Sequence, residues 1–454
     1  MKVYHMRPAL CTLCLALCAT TARAIGEETR KPNLVVIMAD DLGYGELSCY
    51  GNNNYKTPHL DALARAGVRF TDYHSNGAVC SPTRAALLTG RYQQRAGVDG
   101  VIYAGFDQNR NHGLHQGETT FAELLATAGY KNGCFGKWHL GYHKKFNPVH
   151  HGFARFRGYV SGNIDYQSHY DRVGVYDWWE GLEHIREKGY STHLITRHAV
   201  KFIEQHKDRP FCLYVPHEAP HTPFQGPADP GFRVKGKVVP EKRTVAFKKR
   251  AYREMVQEMD KGVGEIVATL KRLGLEKNTV VFFISDNGAT NIGSNGSLRG
   301  NKGQLWEGGH RVPAIASWPG RFAAGTTCDD LSIGIDILPT LLELSGAKKP
   351  ATHHLDGRSL IPSLLGKNPG SARKLYWSFR RQQAMRQGPW KYVRELKGQK
   401  AAALYNLSSD PGEKQNLAGK EPERLASMQK DYAAWRKDVA DGATKQPPIP
   451  GGKK

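Results

Sequence analysis

Beyond its first two dozen residues the sequence has no apolar run long enough to span a bilayer, so no membrane span is expected in the rest of the chain. Acidic residues are also scarce. Asp and Glu number 42 against 64 Lys and Arg, a formal net charge of +22 that favours anionic partners. The basic residues never gather into one arm and no nucleic-acid motif is present, so nucleic acid gives way to an acidic extracellular polymer as the expected partner. Internal repeats are absent as well. Cysteine is sparse, with eight in 454 residues, and a chain of this length can build one large domain and a smaller one without disulfide staples.

What the sequence does have begins at its amino end. Lys2 and Arg7 precede the apolar run from Ala9 to Thr20, and Ala22-Arg23-Ala24 follows as a small-residue cleavage site. Residues 1–24 therefore read as a secretory signal peptide, which makes the protein exported, periplasmic or secreted. A lipoprotein signal at Leu15-Ala16-Leu17-Cys18 is weaker, because a small residue belongs where Leu17 stands. Removing the leader takes three cysteines and three cations with it. Cys49, Cys80, Cys134, Cys212 and Cys328 remain, an odd number. In an oxidising compartment at least one must stay unpaired or be modified, and Cys80 is the candidate; the sequence leaves the pairing of the other four open.

Patterns of strand and helix alternate through the first three quarters of the chain, which predicts an α/β fold. Strands are expected at Asn33 to Met38, Val68 to Tyr73, Lys131 to Phe135, Phe211 to Val215, Thr279 to Ile284 and Ala314 to Ser317. Helices are expected at Pro58 to Ala66, Glu118 to Ala128, Ser191 to His206, Ala251 to Leu273 and Ile335 to Leu344. Phe146 to Tyr190 and Pro230 to Lys249 read as loops. Near Lys374 the pattern changes to short strands and turns, closed by an amphipathic helix over Glu421 to Val439. The expected division is a catalytic domain over 25–370, a small C-terminal subdomain with an antiparallel sheet and a helix over 371–445, and a disordered tail over 446–454.

The stretch around Cys80 organises the rest. Ser81 suits a helix N-cap, Pro82 the first helical position and Gly90 the stop, which predicts a short helix over Pro82 to Thr89 with Cys80 just before its positive end. Arg84 should project near Cys80 from the first turn. In open parallel sheets a site forms beyond the carboxyl ends of the strands. There the two most apolar strands deliver Asp40-Asp41 and Asp286-Asn287, oxygen donors suited to a hard divalent cation such as calcium or magnesium rather than zinc. Lys137 and His139 flank Trp138 in a glycine-bounded loop, and Lys302 sits between Gly300 and Gly303, so the lysines suit an oxyanion. His217 and His221 share a proline-rigid loop, and either has the neutral-range chemistry of a general acid.

Taken whole, Cys80-Ser81-Pro82-Thr83-Arg84 followed by Ala85-Ala86-Leu87-Leu88-Thr89-Gly90-Arg91 resembles the signature of the formylglycine-dependent sulfatases of the alkaline phosphatase superfamily, with Thr83 where many members have serine. Supporting motifs fall in family order: Asp40-Asp41-Leu42-Gly43-Tyr44-Gly45, Gly136-Lys137-Trp138-His139-Leu140-Gly141, His221-Thr222-Pro223, Ser285-Asp286-Asn287-Gly288, and Lys302 ahead of Glu307-Gly308-Gly309. Leu404-Tyr405-Asn406-Leu407 and Asp410-Pro411-Gly412-Glu413 continue the similarity into the C-terminal region. The likeness spans the mature chain.

The resemblance implies a large mixed, mostly parallel sheet between helices and a sulfuric ester hydrolase acting on sulfated carbohydrates or aryl sulfates. It implies that a maturation enzyme oxidises Cys80 to formylglycine, and that Asp40, Asp41, residue 80, Asp286 and Asn287 hold a divalent metal, calcium by family preference with magnesium as the alternative. One hydroxyl of the aldehyde hydrate would attack sulfur with His221 protonating the leaving oxygen, and His139 would then deprotonate the second hydroxyl to expel sulfate. Arg84 would orient residue 80, while Lys137 and Lys302 would hold sulfate oxygens. Two rivals are a phosphoester or phosphonate-ester hydrolase using the same residues and an inactive sulfated-glycan-binding protein.

Overall fold

Leu34, Val35, Val36, Ile37 and Met38 are all completely buried. Both faces of β1 (Asn33–Ala39) are thus covered, and an unbroken apolar run is the sequence form of that burial. The computed structural model describes residues 1–3, 30–103, 111–367 and 373–446. Pro32–Lys454 form one compact unit and Met1–Lys31 a separate one. Apart from residues 1–3, the expected leader lies outside the described residues, as do 447–454 of the expected tail. Gln446 itself is tied down, its side-chain amide donating to Gly113 O at 2.8 Å.

β1 lies at the centre of a ten-stranded sheet. On one side it pairs in parallel with β9 (Thr279–Ser285), register running from Asn33 opposite Thr279 to Ala39 opposite Ser285. On the other side it pairs in parallel with β8 (Phe211–Pro216), and β8 with β4 (Lys131–Lys137). Beyond β9 come β10 (Ala314–Ser317), antiparallel, then β2 (Val68–Phe70) and β11 (Thr326–Cys328). Beyond β4 the sheet continues through β5 (Arg155–Tyr159), β6 (Trp179–Glu180) and β7 (Glu183–His184). The sheet is therefore mixed, with a parallel centre.

Alternate residues of β1 enter two cores. Leu34, Val36 and Met38 pack with α2 (Cys80–Thr89), α3 (Phe121–Thr127) and α6 (Ile337–Ser345), whose inward side chains include Leu87, Phe121 and Leu341. Val35, Ile37 and Ala39 pack with α1 (Pro58–Arg65), α4 (Ser191–Gln205) and α5 (Val245–Arg272) through Leu60, Leu194, Met255, Met259 and Val263. Each large aliphatic side chain buried this way contributes about 1.5–3 kcal/mol. A third core lies under the antiparallel sheet β13 (Lys374–Phe379), β14 (Gln382–Gln387), β15 (Trp390–Arg394) and β16 (Ala403–Asn406), where Trp377, Met385 and Tyr392 meet Tyr432 and Trp435 of α7 (Pro422–Asp441).

Several expectations need correcting. The expected strand over Val68 to Tyr73 breaks at residue 71, its last residue joining the separate β3 (Tyr73–His74), which pairs in parallel with β12 (Ser332–Ile333). α5 starts six residues before Ala251, because the Thr244 hydroxyl caps it by accepting from Phe247 N, so part of the expected basic loop is helical. The stretch from Phe146 to Tyr190 holds β5, β6 and β7, which lead to one edge of the sheet and are too short and mixed in polarity to show alternation. β14 (QQAMRQ) looks like a turn and becomes a strand because β13 and β15 supply partners on both sides. All five cysteines left after the expected cleavage are free thiols. Cys134, Cys212 and Cys328 are buried as small apolar side chains instead of pairing.

Candidate active site

The in-register pairing of β1 with β9 brings Asp40 and Asp41 level with Asp286 and Asn287. In extended chain, adjacent side chains point to opposite faces. Asp41 escapes this because its φ of 62° is left-handed, a conformation Asp tolerates better than most residues. Its backbone N–H donates to Asp286 Oδ1 at 3.2 Å, and Asn287 Nδ2 donates to Asp41 Oδ1 at 2.7 Å.

Cys80 is presented to these acids by α2. The helix starts two residues earlier than expected, with Val79 at the N-cap and Cys80 as its first residue. Ser81 does not cap it; its hydroxyl accepts from Ile102 N instead. Thr83 secures the turn ahead of Cys80, accepting from Gly77 N and placing its hydroxyl against Gly77 O and Val79 O. Gly90 ends the helix at φ 64° as expected. Every residue of α2 is buried. Cys80 Sγ lies 3.5 Å from Asp40 Oδ1 and 3.4 Å from Lys302 Nζ. Burial, with Asp40 adding to it, pushes the thiol up to about 12, so near neutral pH the side chain is not a thiolate.

Three cations from distant parts of the chain surround the acids. Arg84 donates to Asp286 Oδ2 at 2.9 Å, to Asp40 Oδ2 at 3.2 Å and to Lys137 O at 2.9 Å, so its guanidinium locks the acids together. Lys137, at the end of β4, pairs with Asp40, and Lys302 pairs with Asp41 at 2.6 Å. Asp40 is held well below the usual carboxylate range by Lys137, with His221 and Arg84 adding to it, against the opposing effect of burial. Asp286 goes the other way, pushed up to about 6 by burial and by Asp40.

The two histidines present opposite hydrogen-bonding edges. His221 Nδ1 faces Thr222 O at 2.6 Å and must carry the proton there, since a carbonyl has none to give. Nε2, 3.8 Å from Asp41 Oδ2, is then the basic nitrogen. Burial, followed by Lys302, pushes this imidazole down to about 4. His139 donates from Nε2 to Ile102 O at 2.8 Å, which leaves Nδ1 as a lone pair with no partner among the described residues. Burial, then Lys137 and Arg84, holds His139 well below its ordinary range, so it is a neutral acceptor. His217 is buried outside this cluster, both ring nitrogens without a partner among the described residues.

Donor atoms of Asp40, Asp41, Cys80 and His221 lie within 4.8 Å of one another. Asn287 Oδ1, fully buried beside them, has no hydrogen-bond partner among the described residues. An unsatisfied carbonyl oxygen next to three carboxylates fits a hard divalent cation. A second buried group, His74, Glu307 and His310, also brings ligand atoms together. Its acceptors are already taken: Lys391 reaches Glu307 at 3.0 Å and Glu413 at 2.8 Å, Arg386 reaches Glu307 at 3.2 Å and Asp72 at 2.9 Å, and Asp72 also accepts from His74 at 2.8 Å.

Residues 32–347 match the Sulfatase family, and 300–434 match the N-sulphoglucosamine sulphohydrolase C-terminal family. Bovine arylsulfatase A is 36% identical over 90% of this chain and 87% of its own length. The chain belongs to the sulfatase family. Rat N-acetylgalactosamine-6-sulfatase is also 36% identical, over 74% of this chain and 66% of its own. Among solved structures, that of Ps i-CgsB in complex with k-i-k-neocarrahexaose superimposes with a TM-score of 0.82 at 29% identity, covering 93% of this chain and 96% of that one. The phosphonate monoester hydrolase of Agrobacterium radiobacter, at 21% identity and a TM-score of 0.64, shares the fold. This sulfatase has the alkaline-phosphatase-like architecture and hydrolyses sulfate esters.

The sulfatase motif ending in Gly308-Gly309 has a packing cause. The Lys302 loop doubles back so tightly that a Cβ on Gly309 would lie 1.8 Å from Gln304 O, and one on Gly308 would lie 2.5 Å from Gly300 O. Gln382 escaped notice in the sequence. Its amide bonds both Gly303 O and Leu305 N, 79 and 77 residues earlier in the chain, and it belongs to none of the motifs read from the sequence.

Proposed function

We propose that the enzyme removes sulfate from sulfated saccharides at Cys80 after that residue has been matured to formylglycine. The observation that carries this is the setting of Cys80. A thiol pushed up to about 12, yet flanked at 3.5 Å and 3.4 Å by Asp40 and Lys302, is a poor nucleophile as it stands in a site otherwise arranged for attack on an anion. Formylglycine supplies a hydrated aldehyde, one hydroxyl to attack sulfur and a second whose deprotonation expels sulfate and restores the aldehyde. Asp40, Asp41, Asp286 and Asn287 would hold a divalent cation, calcium or magnesium, which would supply Lewis acidity to the attacking oxygen.

The chain's own residues divide the remaining work. Lys137 and Lys302 neutralise oxygens of the transferring sulfuryl group, and Arg84 fixes Asp40 and Asp286 so that residue 80 meets a rigid cluster. His139 Nδ1 takes the proton of the second hydroxyl. His221 gives a proton to the leaving oxygen from Nε2. A sulfate ester entering beside that nitrogen offsets Lys302 and raises its proton affinity. The saccharide assignment rests on the basic surface and on the names of the relatives, which include an N-acetylgalactosamine-6-sulfatase and a structure solved with a neocarrahexaose. The same assignment makes 25–370 the catalytic domain and 371–445 a subdomain whose core, around Trp377 and Tyr392, is shared with Val79, Ala86, Leu305 and Trp306 of the larger domain. It also takes the leader as an export signal and requires a maturation enzyme that reads Cys80, Pro82 and Arg84.

Mass spectrometry of the Phe70 to Arg84 peptide from protein made in its native host tests the maturation. The expected product has one oxygen in place of Sγ and two hydrogens, and finding only cysteine overturns it. Release of sulfate from a panel of sulfated saccharides, compared with phosphate release from matched phosphate esters, tests the substrate class.

A further inference from the structure

Lys302 reaches the site on a long, flexible stem, so its ammonium is only as well placed as the backbone beneath it. Two backbone bonds fix that loop from the catalytic side: Lys302 N donates to Ala289 O at 2.9 Å, and Gly303 N donates to Ala78 O, two residues before Cys80, at 2.8 Å. On its other side the loop meets the C-terminal sheet. Gln382, the first residue of β14, donates from Nε2 to Gly303 O at 2.8 Å and accepts at Oε1 from Leu305 N at 3.0 Å. One planar amide thus pairs with the loop as the edge of a neighbouring strand would. A carboxylate keeps only the acceptor half, and asparagine is one methylene shorter.

We propose that Gln382 is a positioning residue for sulfate-ester hydrolysis: by clamping Gly303 and Leu305 it holds the Lys302 ammonium at Cys80 and Asp41, so the C-terminal sheet completes the catalytic site. This rests on the role given to Lys302 above. The clamp is half-buried and lies outside the charged cluster, so its loss loosens the loop without stranding a charge.

The test is a double-mutant cycle on the matured enzyme with an aryl sulfate, reading kcat, KM and inhibition by inorganic sulfate, with thermal melting alongside. Gln382→Ala should lower kcat/KM about 10-fold, mostly in kcat, and weaken sulfate inhibition in parallel. Gln382→Glu, which is close to isosteric and preserves the Leu305 bond, should fall between wild type and alanine, and stands in if the alanine variant does not fold. In a Lys302→Ala background, Gln382→Ala should cost little more, because the group it positions is gone. Full activity of Gln382→Ala with Lys302→Ala impaired overturns the clamp alone. An equal loss in both backgrounds makes Gln382 merely structural and also overturns it. Full activity of Lys302→Ala overturns the role of the lysine, and the clamp with it.

Discussion

Among the described residues two buried clusters gather acids with histidines, one around Asp40, Asp41 and Asp286, the other around His74, Glu307 and His310. Both gather acids and histidines closely enough to suggest a metal. They differ in what is left over. Around Glu307 the carboxylates are matched by Lys391, Arg386 and Arg311, and the cluster fastens β14 and β15 of the C-terminal sheet to the segments around Asp72 and Glu307. At the strand ends Asn287 Oδ1 and His139 Nδ1 have no hydrogen-bond partner among the described residues. A buried cluster that is fully paired is a fastening; one with acceptors to spare is a site.

That contrast can be broken, most strongly at Cys80. Cys80→Ala should reduce sulfate release to background while the melting temperature stays near wild type, and residual turnover near the wild-type rate would refute the catalytic assignment. Lys391→Met should do the reverse, leaving Glu307 and Glu413 without their ammonium at a cost of about 3–5 kcal/mol in chemical denaturation. Calcium or magnesium at about 100 times its dissociation constant should stabilise the wild type by about 2.7 kcal/mol. Lys391→Met should retain that increment and Asp286→Asn should lose most of it. An increment that follows Lys391 instead would exchange the roles of the clusters.

The smallest effect is a pH dependence. Asp286, raised from 3.8 to about 6 in the fold, binds a proton more tightly there than in the unfolded chain. Its contribution to metal-free stability is therefore greatest below about pH 4 and is lost as pH rises through about 6. Metal binding must displace that proton, so affinity measured by titration calorimetry should climb with pH up to about 6 and level off above it. Glu413, raised to about 7 in the other cluster, should give a similar stability slope that metal does not alter.

The centre of the fold was plain in the sequence because strands buried on both faces carry unbroken apolar runs, as in Asn33 to Met38 and Thr279 to Ile284. The acids that meet at the strand ends were readable for the same reason, since Asp40, Asp41, Asp286 and Asn287 follow directly on β1 and β9. β5, β6, β7 and β14 were hidden because partners rather than composition make them strands. The four remaining cysteines gave no sign of staying unpaired, as burial and pairing leave the same residue in the sequence. Gln382 was invisible because a glutamine beside a turn announces nothing until the chain folds Gly303 against it.

The burial of α2 bears on timing. Cys80, Pro82 and Arg84 have almost no accessible surface once the chain has folded. An enzyme that reads these three residues has to meet them before the helix packs. If residue 80 is matured as proposed, maturation and folding would compete as first-order processes on the same newly made chain, and the ratio of their rates would set the fraction of active molecules. Slowing the collapse of the chain should raise that fraction, while variants that fold faster should accumulate as well-folded protein carrying an unconverted thiol.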